Sequence, residues 1–86
     1  MENNCKKKVF GARLQIVREN HGWTKQALGN IVGVSDVTIG YFEHGKKWPS
    51  VPTLMTLAQV LEVSTDYLLG LTDQGPSGNP EHTETR

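Results

Sequence analysis

Few of the 86 residues have types and spacing that could act on a substrate. His21, His44 and His82 have no spacing suited to a metal site or a catalytic triad. Cys5 lacks an activating partner and any nearby Cys or His at zinc-ligand spacing. The chain shows no glycine-rich phosphate loop and no plausible pair of nucleophile and base, so it reads as a non-enzyme with neither cofactor nor metal. The chemistry that remains is recognition, and it gathers in one short stretch. Asp36 can accept a hydrogen bond from cytosine N4, and it equally suits the positive end of a helix. Val37 and the methyl group of Thr38 can touch thymine methyls. The hydroxyls of Thr38 and Tyr41 can bond a base edge or a phosphate. Gly40 either lets the backbone approach a duplex closely or is simply tolerated, at about 1 kcal/mol relative to alanine in mid-helix.

Such residues act together only if a helix holds them on one face, and the surrounding chain reads as helices throughout. Phe10, Leu14 and Val17 form one apolar stripe in a segment from about Phe10 to Asn20, with Gly22 beyond its end. Thr24 is the expected N-cap of a segment running to about Val32 that buries Leu28 and Val32 and stops at Gly33. Ser35 caps the next, from Asp36 to about His44, which turns Ile39 and Phe42 inward and stops at Gly45. After Pro49 and Ser50, the spacing of Leu54, Leu57, Ala58 and Leu61 predicts a fourth helix with Pro52 in its first turn. Ser64 begins a fifth, through Leu69, closed by Gly70. No stretch alternates with the period of a strand, and the expected fold is a compact, all-α, five-helix domain.

That domain is expected over residues 9–70, between a flexible basic arm at 1–8 and a disordered polar tail at 71–86 that contains Gly75, Pro76, Gly78 and Pro80. The Lys6-Lys7-Lys8 run reads either as an arm for phosphates or the minor groove, or as mobile, solvated charge. Formal charge is zero over the whole chain, but it is unevenly placed. From Cys5 to Gly70, eight Lys or Arg face five acids. Beyond Gly70, Asp73, Glu81 and Glu84 outweigh Arg86. A mildly basic domain with an acidic tail is compatible with DNA binding. No apolar run approaches the roughly 20 residues needed to cross a bilayer, and no apolar stretch follows the first lysines as in a signal peptide, so no membrane association and a cytoplasmic location are expected.

The informative unit is Thr24 to Gly45, two capped short helices joined by the turn Gly33-Val34-Ser35, in which Val34 wedges between the helices. It lies within a longer pattern: Phe10 through Leu14, Val17-Arg18, Gly22-Trp23-Thr24, Leu28, Gly33-Val34-Ser35, Ile39, Glu43, Gly45-Lys46, Pro49-Ser50, Leu54, Leu57-Ala58, Leu61 and Val63-Ser64 through Gly70. Over these positions the chain resembles the Cro/C1 (XRE) helix-turn-helix family of lambda-repressor-like proteins. The resemblance implies a five-helix DNA-binding domain, usually a homodimer on palindromic operators, acting as a bacterial or phage transcriptional regulator, most often a repressor. It also implies a partly buried ion pair between Arg18 and Glu43, and phosphate contacts from Thr24 and Lys25 at the start of helix two and from Lys46 and Lys47 after helix three. Trp48 then packs under the loop or lies against a sugar. The chain departs from the pattern where Gly29 replaces a common alanine. It departs further in having no Arg, Lys, Gln or Asn from Asp36 to Glu43, the side chains that match base edges best. The bare helix keeps a second reading open, an interaction module such as an antitoxin that binds a protein partner and touches DNA weakly.

Overall fold

The computed structural model describes residues 2–73, with side chains from Lys6 onward. Five helices follow one another: α1 (Glu2–Asn20), α2 (Lys25–Val32), α3 (Asp36–Glu43), α4 (Val51–Leu61) and α5 (Thr65–Leu69). The last four begin in the same way. Thr24, Ser35, Ser50 and Ser64 hold extended backbone angles, and their hydroxyl oxygens accept from the amides of Ala27, Thr38, Thr53 and Tyr67. Each cap satisfies an amide that has no partner within its helix and contributes about 1 kcal/mol.

Between α2 and α3 the chain reverses at Gly33, whose φ of 87° lies in the left-handed region. The Gly29 carbonyl accepts from both Gly33 N and Val34 N, at 2.7 and 2.9 Å, which pins the turn to the end of α2. A Cβ at Gly29 would stand 2.5 Å from the Val34 carbonyl oxygen, so this turn is packed against a bare backbone. Val34 is half-buried against the core rather than fully enclosed. At the far end of α3, Gly45 N donates to Phe42 O and Lys46 N to Tyr41 O. This paired closure ends the helix and fixes where Lys46 and Lys47 leave it.

The core joins Phe10, Leu14 and Val17 of α1 to Leu28, Ile39, Phe42, Leu57, Ala58, Leu61 and Leu68. Val32 and Leu54, expected inside, pack half-buried at its edge. The largest departure from the expected boundaries is at the N-terminus, where the residues expected to form a basic arm continue α1 back to Glu2. Apolar periodicity marks only the buried length of a helix, whereas lysine is itself a good helix former and extends one beyond its stripe. The extension is also packed. A Cβ at Gly45 would meet Lys8 Cα at 3.2 Å, and the Phe10 ring sits 6.3 Å from Phe42 and 5.6 Å from Trp48, which touches Phe10 with one side and stays exposed on the other.

At the other end, residues 71–73 are held rather than free. Leu71 N donates to Asp66 O at 2.8 Å. Arg13 reaches across from α1, donating to Tyr67 O at 2.7 Å and Thr72 O at 2.5 Å, pairing with Asp73 at 3.2 Å and lying 4.5 Å over the Tyr67 ring. The rest of the expected tail, 74–86, lies outside the described residues.

Candidate nucleic-acid interface

Eight residues of α3 divide between two faces. Ile39, Phe42 and Glu43 point into the domain and are buried. With 100° per residue, the opposite stripe is Val37, Gly40, Tyr41 and, at the C-cap, His44. Val37 is 57% exposed and Tyr41 47%, so each leaves about half of a large apolar or aromatic surface open among the described residues. Asp36 and Thr38 flank the stripe. The Thr38 hydroxyl lies 3.0 Å from Ser35 Oγ, so one of its bonds is engaged in the cap. Asp36 is exposed in the first turn, where a carboxylate favours the helix dipole. Sequence reasoning passed over His44 because it weighed histidine only for metal and catalysis. Its spacing, four residues after Gly40 and seven after Val37, places it on the same stripe, and its Nδ1 lies 2.8 Å from the Gly40 carbonyl oxygen.

Charge flanks this stripe on two sides. Thr24 caps α2 through Oγ1, 3.0 Å from Ala27 N, and Lys25 follows it. The Lys25 ammonium reaches over to α3: among the described residues it is the sole atom beyond the helix's own backbone and chain neighbours within 4 Å of where a Gly40 Cβ would be, at 3.9 Å. Lys46 and Lys47 lie exposed just past the end of α3. Lys6, Lys7 and Lys8, expected on an arm, belong to α1.

Beneath the stripe, α3 is tied to α1 by the expected ion pair. Arg18 Nε lies 2.6 Å from Glu43 Oε2 and Nη2 lies 3.1 Å from Oε1, a two-pronged bond, while Nη1 donates to Trp23 O at 2.7 Å. The Arg18 and Glu43 side chains are only 9% and 2% exposed. Hydrogen bonding to Glu43 pushes the Arg18 pKa above its ordinary value, and this outweighs the opposing effect of burial. The raised value means that the stability linked to Arg18 ionisation is fully present at neutral pH and is lost as pH rises into strong alkali. The described residues include no cluster of three or more His, Cys, Asp or Glu able to hold a metal, and no helix among them is long and apolar enough to cross a membrane.

A helix-turn-helix family model, HTH_3, matches residues 14–68, a span from the second core residue of α1 to α5 that includes both helices of the turn. The chain belongs to the Cro/C1-type helix-turn-helix family. It is 38% identical over 61 residues to the SPbeta prophage-derived HTH-type transcriptional regulator YonR of Bacillus subtilis (strain 168), a match that covers 71% of this chain and 56% of YonR. The chain thus spans little more than half the length of that relative. The antitoxin HipB of Escherichia coli (strain K12) is 31% identical over 71 residues, covering 83% of this chain and 75% of HipB. Among solved structures, the P22 c2 repressor in complex with a synthetic operator superposes with a TM-score of 0.68 at 37% identity, over 70% of this chain and 91% of that one. The five-helix lambda-repressor-like fold expected for this family is the fold observed.

Proposed function

We propose that this chain binds double-stranded DNA in a sequence-selective manner and regulates transcription as a repressor, working as a homodimer in the cytoplasm. The observation that carries the reading is the exposed stripe of α3, Val37, Gly40, Tyr41 and His44, set between the α2 N-terminus and Lys46-Lys47. An α-helix of this kind fits the major groove, about 12 Å wide. Val37 and Tyr41 then face base edges, with Asp36 and Thr38 at the borders of the contact. The first amides of α2, capped by Thr24, and the Lys46 and Lys47 ammonium groups suit flanking phosphates. Similarity to a repressor solved with operator DNA supports the same arrangement.

Selection of binding sites from random duplex DNA tests this reading. A palindromic site is expected. Tyr41→Ala should relax its sequence at defined positions, whereas Lys46→Ala together with Lys47→Ala should weaken all sequences alike and flatten the dimer's salt slope by roughly four, two for each protomer. Absence of any enriched sequence at low salt would sink the proposal.

One observation favours a second reading. The similarity to antitoxin HipB, joined to a recognition helix without Arg, Lys, Gln or Asn, fits a module that binds a protein and holds DNA secondarily. Such a protein would show weak dependence on DNA sequence and a stable complex with its partner.

A further inference from the structure

The recognition helix carries no Arg, Lys, Gln or Asn of its own, yet a lysine from another helix stands over it. Lys25 belongs to α2, fifteen positions earlier in the chain than Gly40. Its Nζ nevertheless lies 3.9 Å from the place a Gly40 side chain would begin, and among the described residues no other atom outside the backbone of α3 and the two adjoining residues comes within 4 Å of that place. Lys25 is half-buried along its length and makes no hydrogen bond or ion pair with a described residue, so its ammonium group is uncommitted. Gly40 itself is half-buried at the edge of the outward stripe, one turn from Val37, on the side that Lys25 approaches. A missing side chain at 40 thus leaves a notch in the face of α3, and a cation from the neighbouring helix lies against it.

We infer that Lys25 is a specificity-determining residue that reads a guanine through the notch at Gly40, rather than one more phosphate contact. This inference rests on the proposal that α3 enters the major groove. Guanine presents two acceptors there, O6 and N7, and an ammonium group is a common partner for both. Thymine, adenine and cytosine offer a lone acceptor or a competing donor at the same edge. Gly40 contributes by absence: a long side chain there would occupy the space the lysine crosses. Reading is then divided between helices, with α3 supplying the apolar and aromatic contacts and α2 the cation.

Sites selected from random duplexes by the wild-type chain, Lys25→Met and Gly40→Leu decide the matter. Methionine keeps the length and apolar stem of the lysine without its charge, and leucine fills the notch while favouring the helix. The wild type should enrich one guanine in each half-site. Both variants should lose that preference and retain the remaining positions, with affinity for the guanine site down by roughly 5- to 100-fold for each half-site, as expected for loss of one good base contact in each. Replacing that guanine by 7-deazaguanine should weaken the wild type and leave Lys25→Met unchanged. If Lys25→Met instead keeps the full motif and binds all sequences more weakly, with the dimer's salt slope lower by about two, one for each protomer, Lys25 is a phosphate contact and the inference is overturned. If the wild type enriches no sequence, the DNA-reading proposal fails and takes this inference with it. An enriched site that survives both variants overturns the inference alone.

Discussion

Gly11 in α1 and Gly40 in α3 both lie within helices, and an added methyl group would meet opposite surroundings. At Gly11 it would come within 2.5 Å of the Phe42 carbonyl oxygen and nearer still to that of Glu43, because α1 crosses α3 backbone to backbone at this point. At Gly40 it would face open space apart from the Lys25 ammonium at 3.9 Å. The first glycine is required by the fold. The second is a cost the fold does not need, which directs attention to what binds the exposed face. The contrast extends along α3: its inner side is over-determined by Ile39, Phe42 and the Arg18–Glu43 pair, while its outer side shows exposed Val37 and Tyr41.

The sharpest way to break this comparison is at the ion pair. Glu43→Ala would strand the buried Arg18 guanidinium, at a cost of about 3–5 kcal/mol. Against a total stability of about 5–15 kcal/mol, at the low end for a domain this small, the variant should be largely unfolded near 37 °C. Thermal unfolding followed by circular dichroism should show a large fall in Tm, and an unchanged Tm would mean that the inner face of α3 is not held as described. Gly11→Ala comes next. Contact with rigid backbone belongs at the upper end of the roughly 1–3 kcal/mol that overpacking costs. It outweighs the gain of about 1 kcal/mol in helix propensity, for a net loss of about 2 kcal/mol in urea unfolding. Gly40→Ala should have the smallest effect and the opposite sign. With no overlap to offset the propensity term, it should raise stability by about 1 kcal/mol and shift the urea midpoint upward with an unchanged m-value. A loss at position 40 would show that the two glycines do not differ in kind.

Much of the fold was legible along the chain because its signals are local. Thr24, Ser35 and Ser64 act through amides three residues away, Gly33 through its own dihedral angle, and the spacing of Leu54, Leu57, Ala58 and Leu61 through the helical repeat. The Arg18–Glu43 pair was accessible only through family resemblance, since nothing in composition or spacing joins residues 25 positions apart. The start of α1 was missed because the buried stripe begins later than the helix. His44 was missed although its spacing would have placed it on the stripe.

Sequence alone determined the helices, their caps, the sharp turn between α2 and α3, and which side of α3 is apolar enough to be buried, because each depends on interactions within a turn or two of chain. Only the tertiary structure decided which groups meet across helices: the bare backbone of Gly11 on the carbonyls of α3, Arg13 over Tyr67 and around residues 71–73, and the Lys25 ammonium beside Gly40. Those meetings depend on crossing distances of a few ångströms between elements far apart in sequence, and they exist only once the core has closed.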